Sequence, residues 1–228
     1  MEKKVIVISL GGSQIIPDEV NLSYLKEFKE ILLNHTKKYK FVVVCGGGSI
    51  ARKYISALKE QGISEKLQSL AGISATRMNA RFMNYLFKID PKQGIPHTTA
   101  TLQKYTKMHD IIFCGALEYK PNQTSDSTAA QIAQHFNSDF INITNIKGLY
   151  DKNPKEFKNA RFIPRISWKD FDKMANKSKF TPGQHFVLDQ TASRIIMNHK
   201  IITYILGNLK ELNNLLNNKI FNGTIIRD

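Results

Sequence analysis

The glycines of this chain stand where they could hold phosphate. Gly11, Gly12 and Ser13 follow the apolar run Val5 to Leu10, and Gly46, Gly47, Gly48 and Ser49 follow the run Phe41 to Cys45. Glycine permits positive φ and close approach to the backbone, so successive amide N–H groups can point at an anion, and a following helix start adds partial positive charge. Either cluster alone reads equally well as a tight turn that needs glycine for its geometry. Two of them, each after an apolar run, strengthen the anion-binding reading. Known patterns narrow it further. No Gly-x4-Gly-Lys-Ser/Thr loop occurs anywhere in the chain. Gly46, Gly48 and Ala51 satisfy GxGxxG/A, but the dinucleotide fingerprint needs a following strand that ends in an acidic residue about 20 positions later. The stretch ISEKLQSLAGISATRMN supplies no such strand. Arg52 falls one turn into the helix expected after the second cluster, where a guanidinium can make bidentate bonds to phosphate. By itself it reads as a solvated arginine beside Lys53.

Two carboxylates stand at expected helix starts. In TSDSTAAQIA, Asp126 follows Thr124 and Ser125. Capping accounts for these residue types, and so does a site where hydroxyls contact a phosphate while the carboxylate orients cationic groups or a hydrated Mg²⁺. Asp189, in FVLDQTAS, is again an N-cap by default. TNIKGLYDKNP reads as a strand end, a glycine turn and an irregular loop, with Tyr150 able to lie against an aromatic base. The six histidines are scattered without metal spacing and are assigned no chemistry. Cys45 and Cys114, far apart and each closing an apolar run, support neither a disulfide framework nor a zinc site and fit a reducing cytoplasm.

The elements that must position these residues show as alternation. Short β-branched runs at Val5 to Leu10, Phe41 to Cys45, Ile111 to Cys114, Phe140 to Ile143, Ile201 to Leu206 and Thr224 to Ile226 have the nearly continuous apolar character of strands buried on both faces. Between them, helical spacing links Leu22, Leu25, Phe28 and Leu32, then Ile50, Tyr54, Ala57 and Leu58, then Ala129, Ile132, Ala133 and Phe136. Asn21, Thr124 or Ser125, and Ser167 with Asp170 mark helix starts. The pattern predicts an α/β fold with a parallel sheet covered by helices on both sides, in one domain with two lobes divided around residue 120. In such sheets ligands sit beyond the carboxyl ends of the strands, where the glycine clusters lie. At 228 residues, with 42% hydrophobic and 10% aromatic residues, the chain can bury a core and has neither a membrane span nor a disordered composition. The start MEKKVIVISLGG reads as a strand and not as a signal peptide. A net charge of +14 attracts phosphates of every kind, yet the lysines are spread as solvated helix faces are, so nucleic-acid binding rests on charge alone.

Taken in order, GGS, GGGSIAR, GISATRMNA, TSDSTAAQIA, TNIKGLYDKNP, FVLDQTAS and the terminal NGTII resemble the motif series of the uridylate kinases of the amino acid kinase family, and more closely the archaeal type. The resemblance spans nearly the whole chain. It implies a three-layer αβα sandwich with a mainly parallel central sheet, and the reaction of UMP and ATP to UDP and ADP with Mg²⁺, in pyrimidine nucleotide biosynthesis. It also implies a cytoplasmic homo-oligomer, a hexamer by resemblance, with no membrane partner. The lobe of about residues 1–120 would be the UMP side and that of about 121–228 the ATP side. Carried over by motif, Gly11, Gly12, Ser13, Thr144, Gly148 and Tyr150 would bind ATP. Gly47, Gly48, Arg52, Gly72, Thr76, Asn79, Thr124 and Ser125 would bind UMP and the transferred phosphoryl group. Asp126 and Asp189 would be the catalytic carboxylates, and no residue is assigned as a direct metal ligand. In-line phosphoryl transfer asks the protein mainly for positioning and charge neutralisation, which suits this set.

The chain departs from the family at several positions. Lys147 and Asn153 stand where acidic residues are usual, Asn122 and Gln123 replace a Gly-His pair, and Ser125 replaces threonine. Ser9 stands where bacterial members carry a lysine two residues before the first glycine, as archaeal-type members also lack it. Mg²⁺ and a lysine or arginine from elsewhere, Lys147 among them, are the candidate neutralising charges. The rival readings are a family member acting on another small acceptor, a UMP-binding relative that has lost catalysis, and a basic RNA-binding protein.

Overall fold

The computed structural model describes residues 3–121, 123–177 and 187–228. The apolar runs are strands, and their faces explain why. In β1 (Lys4–Leu10) every residue from Ile6 onward is buried. Ile6, Ile8 and Leu10 enter one core cluster, whereas Val7 enters a second cluster on the opposite face. A strand with both faces covered has to be apolar at consecutive positions. The first half continues with α1 (Gly12–Ile15), α2 (Leu22–His35), β2 (Tyr39–Cys45), α3 (Gly48–Glu60), α4 (Glu65–Leu86), α5 (Thr99–Met108) and β3 (Ile111–Cys114). The second half adds α6 (Ser125–His135), β4 (Asp139–Ile143), β5 (Leu149–Tyr150), β6 (Phe162–Ile163) and β7 (Arg165–Ile166). It ends with α7 (Trp168–Ala175), α8 (Gln190–His199), β8 (Thr203–Leu206), α9 (Leu209–Leu216) and β9 (Gly223–Ile226).

Seven strands form one sheet in the order β3-β2-β1-β4-β8-β9-β7. Pairings from β3 to β8 are parallel, β9 runs antiparallel to β8, and β7 lies parallel to β9. Leu25, Phe28 and Leu32 of α2, Met83 of α4, and Leu209, Leu212 and Leu216 of α9 cover one face. Leu102 of α5, Ala129, Ile132 and Ala133 of α6, Phe171 of α7, and Ala192 and Ile196 of α8 cover the other. The three layers are those the resemblance implies. The strands on both sides of residue 120 belong to this one sheet.

Register sets where the site can be. Leu10 lies opposite both Cys45 and Ile143, so β1, β2 and β4 end at one level and their following loops emerge side by side. The structure differs from the sequence expectation mainly in α4. Gly72 stands in the interior of this 22-residue helix, where glycine costs about 1 kcal/mol relative to alanine and weakens any helical signal. The two-residue strands β5, β6 and β7 have too few residues to show a period.

Candidate active site

The two glycine clusters meet. A Cβ placed on Gly12 would lie 2.0 Å from the Gly48 nitrogen, and one on Gly46 would lie 2.3 Å from the Gly12 nitrogen. Backbone packs against backbone here, so no side chain larger than hydrogen fits at either position. Gly48 adds a positive φ of 65°, in the left-handed region. The Gly11 N–H donates to the Ile143 carbonyl at 3.2 Å, which ties the first loop to the end of β4. The loops thus bring the starts of α1 and α3 together; the first N–H groups of a helix have no partner within it, although that of Ser49 is already taken by the Ile16 carbonyl at 3.1 Å. Arg52, one turn into α3, is exposed, and its guanidinium makes a single long contact, 3.4 Å to the Pro17 carbonyl. That leaves it available to an anion at the loop.

Helix α4 holds the next wall. The Asn79 amide donates to the Gly46 carbonyl at 2.7 Å, so it braces the second glycine loop. The Thr76 hydroxyl donates to the Ile73 carbonyl at 2.7 Å and accepts from the Ala116 N–H at 3.0 Å. Arg77 reaches the same loop after β3, donating to the Ala116 carbonyl at 3.2 Å and to the Leu117 carbonyl at 2.5 Å. Gly72 faces Ile55 of α3, where a Cβ would lie 3.1 Å from its Cδ1. The side-chain polar atoms of Thr76 and Asn79 therefore shape neighbouring loops, and Gly47 lies against this wall, its Cβ position 3.6 Å from the Thr76 methyl.

The two carboxylates occupy different environments. Asp189 is buried and accepts four hydrogen bonds, two on each oxygen. Oδ1 receives the Ser127 hydroxyl at 2.5 Å and the Ala192 N–H at 2.8 Å. Oδ2 receives the Thr124 hydroxyl at 2.5 Å and the Ser127 N–H at 3.2 Å. Asp189 caps α8 and in the same stroke fastens the start of α6, where Thr124 is the N-cap and accepts from the Asp126 N–H. Asp126 is only half-buried. Its Oδ1 accepts from the Ser9 hydroxyl at 2.7 Å, and no described donor meets Oδ2. Burial, and secondarily the neighbouring Asp189 charge, push its carboxyl up from 3.8 to about 7, against the Ser9 hydrogen bond, which favours the charged form. Among the described residues no ion pair involves either aspartate, and no three His, Cys, Asp or Glu residues group as a metal cage.

Beyond β4, the Thr144 N–H donates to the Leu206 carbonyl at 3.0 Å. Gly148 lies where a Cβ would stand 2.7 Å from the Thr224 hydroxyl and 2.8 Å from the Phe162 ring. The Tyr150 and Phe162 rings are 5.5 Å apart on the β5–β6 hairpin. Thr224, in the terminal NGTII, accepts from the Leu149 N–H at 2.8 Å and donates to the Ile163 carbonyl at 2.6 Å, so it fixes that hairpin to the sheet. Two clefts at the opposite end of the sheet, one beside Ser138 and Lys200 and one beside Tyr39 and Tyr204, hold no such convergence of loops and carboxylates.

A sequence profile described as "Amino acid kinase family" matches residues 4–207. The chain belongs to this family. A uridylate kinase of Thermoplasma volcanium is 36% identical over 214 residues, covering 93% of this chain and 91% of the relative. A uridylate kinase of Thermococcus kodakarensis is 31% identical and covers 89% of each chain. The crystal structure of uridylate kinase from Archaeoglobus fulgidus superposes with a TM-score of 0.82 at 30% identity, covering 97% of this chain and 99% of that one. UMP kinase from Ureaplasma parvum shares the fold with a TM-score of 0.78 at 21% identity.

Within this amino acid kinase, Gly11, Gly12, Ser13, Gly47, Gly48 and Arg52 follow the carboxyl ends of β1 and β2, and the Ser9–Asp126 and Thr124–Asp189 hydrogen bonds bring Thr124, Ser125, Asp126 and Asp189 to the end of β1. Gly72, Thr76 and Asn79 stand behind them on α4. Thr144, Gly148 and Tyr150 lie on the other side, between β4 and the hairpin. Lys147 seats its ammonium 4.5 Å from the Phe162 ring centroid. Asn153 is occupied within its own loop, bonding Glu156 and the Lys155 N–H. Gln123 accepts from Gln131 at 3.1 Å, and Asn122 lies outside the described residues. Sequence reasoning gave no site role to Ser9, Arg77 or Thr224. For Ser9 a signal existed, since it is the one hydroxyl in the otherwise apolar run Val5 to Leu10.

Proposed function

We infer that this protein is a nucleoside monophosphate kinase that transfers the γ-phosphoryl group of ATP to UMP, giving UDP and ADP. The observation that carries the reading is the direct packing of two phosphate-type glycine loops at the ends of adjacent strands, with a half-open carboxylate beside them. One loop suits a donor polyphosphate and the other an acceptor phosphate, and their direct contact supports holding the two side by side. Gly11, Gly12 and Ser13 hold the donor phosphates. Gly47, Gly48 and Arg52 hold the acceptor phosphate, with Arg52 supplying a bidentate cation. Gly72, Thr76 and Asn79 set the shape of the uridine side, and Thr144, Gly148 and Tyr150 that of the donor nucleoside. Ser125 presents its hydroxyl beside the group in transfer, and Thr124, whose O–H goes to Asp189, holds the helix start there. Asp189, with all four of its acceptor positions used, works through Thr124 and Ser127 as a positioning residue.

The donor set suits Mg²⁺. This ion keeps several waters and usually takes one or two carboxylates together with substrate phosphates, and Asp126 Oδ2 offers one carboxylate oxygen. Bound with ATP, Mg²⁺ supplies neutralisation of the charge that develops on the phosphates. By family resemblance the protein is also a cytoplasmic homo-oligomer, a hexamer, in pyrimidine nucleotide biosynthesis. Two features support that part: the buried Cys45 and Cys114 are both free thiols, and Leu67, Met78 and Tyr85 expose apolar surface along α4. No described helix is long and apolar enough to cross a membrane.

A coupled ADP-release assay with UMP, CMP and AMP, with and without Mg²⁺, tests the reading. Mg²⁺-dependent turnover with UMP as the best acceptor is expected. No turnover with any of the three would sink it.

A further inference from the structure

We propose that Ser9 is a positioning residue of the phosphoryl-transfer centre: its hydroxyl aims the Asp126 carboxylate so that the second oxygen faces the space where the nucleotide phosphates meet. The proposal rests on the kinase reading above and assigns a role to a residue outside the glycine loops.

Ser9 is only 1% exposed and sits in a strand whose other described residues from Val5 to Leu10 are all apolar. A buried hydroxyl without a partner costs about 1–3 kcal/mol, so its presence in such a strand calls for a bonded partner. The partner is Asp126 Oδ1, 2.7 Å away and 117 residues distant in sequence. Side-chain alternation puts Ser9 on the same face as Val7, the face that α6 covers. Ser9 also lies two residues before Gly11, which directly follows the strand. The hydrogen bond therefore fixes the carboxylate directly to the segment that carries the first glycine loop.

Among the described residues the surroundings leave this task to Ser9. Asp189 and the Thr124 cap hold the backbone at the start of α6, yet neither touches the Asp126 carboxylate. Among the described residues no cation pairs with that carboxylate, and Ser9 is its one side-chain hydrogen-bond partner. Among the described residues no donor meets Oδ2, and it is not one of their buried unpaired side-chain atoms, so it opens outward. Without the Ser9 bond, the side chain is free to rotate away from its negative neighbour Asp189. With it, one oxygen is held and the other is presented.

The test is a cycle of Ser9→Ala, Asp126→Asn and the double variant, with two readouts. The first is steady-state kinetics for UMP and ATP. The second is the affinity of the protein for Mn²⁺ in the presence of a non-hydrolysable ATP analogue, read by electron paramagnetic resonance without turnover. Losing a hydrogen bond to a charged group predicts a fall in kcat of about tenfold for Ser9→Ala, with both KM values within about twofold. Mn²⁺ affinity falls by a similar factor. In the Asp126→Asn background, Ser9→Ala adds nothing further, because it acts through the carboxylate. Losses that add across the cycle, or an Mn²⁺ affinity unchanged by Ser9→Ala, would overturn the proposal. A thermal melt of Ser9→Ala within a few degrees of the parent shows that the fold is retained. If the parent turns over no nucleotide, the kinase reading fails, while the Mn²⁺ cycle still decides whether Ser9 aims Asp126.

Discussion

Exchanging Asp189 for asparagine separates its charge and acceptor pattern from its shape. Each carboxylate oxygen receives one hydroxyl and one backbone N–H: Ser127 Oγ with Ala192 N on Oδ1, and Thr124 Oγ1 with Ser127 N on Oδ2. Asparagine puts an NH₂ group on one side. The hydroxyl there can turn round and accept, but the backbone N–H cannot. Whichever way the amide flips, one buried N–H is left facing a donor, either Ala192 at the start of α8 or Ser127 in α6. A stranded buried donor costs about 1–3 kcal/mol, and the remaining bonds each lose about 1 kcal/mol when the acceptor is no longer charged. Relief of the repulsion with Asp126 returns about 1 kcal/mol. The net expectation is a loss of about 3 kcal/mol, a large part of the 5–15 kcal/mol typical of a folded protein. Urea unfolding of the ligand-free protein at neutral pH measures it, as a lower midpoint with an unchanged slope. A loss below about 1 kcal/mol would mean that the four bonds do not hold the two helix starts together, and the positioning role of Asp189 would go with them.

Three further outcomes follow from the same geometry. Gly12→Ala forces a methyl to within 2.0 Å of the Gly48 nitrogen; the two loops must separate, so binding of ATP and UMP should weaken together in calorimetry, whereas loss of one alone would contradict the packing. Arg52→Ala removes an exposed guanidinium with one weak contact, so the melting temperature should stay put while KM for UMP rises about tenfold or more and KM for ATP barely moves; equal changes in both would remove Arg52 from the acceptor phosphate. The Asp126 carboxyl, raised from 3.8 to about 7, holds a proton in the folded state that the unfolded chain has already lost. Between about pH 4 and 7 the folded protein therefore binds more protons than the unfolded one, and this group's contribution declines as pH rises, by on the order of 3 kcal/mol. The difference in urea midpoint between the parent and Asp126→Asn, followed across that range, should show the decline, and a flat difference would refute it.

How much of this was legible depended on the range of the interaction that sets each feature. The six apolar runs became strands that end where the runs end and start within two residues of them, because a sheet covered on both faces writes itself as uninterrupted hydrophobicity. The cap at Ser167 was legible for a similar reason, as was the Thr124–Ser125 pair of which Thr124 is the cap, since each cap bonds an N–H within its own turn. Long α4 was obscured by Gly72, whose presence answers to Ile55 of another helix and not to its own. The same distance separates the two aspartates in meaning. Both read as N-caps, and only the fold shows Asp189 saturated by donors from two helices while Asp126 keeps one oxygen open. Lys147 shows the limit from the other side. A reversed charge in a motif looks like a change in the chemistry, yet its ammonium lies on the face of Phe162, a ring fifteen positions along the chain that no local pattern pairs with it. The glycine clusters were readable as phosphate loops, but the reason neither tolerates a side chain at Gly12 or Gly46 is that each is the other's wall. A local motif names the chemistry that a loop permits, and the neighbouring strand's register decides that two such loops face one reaction.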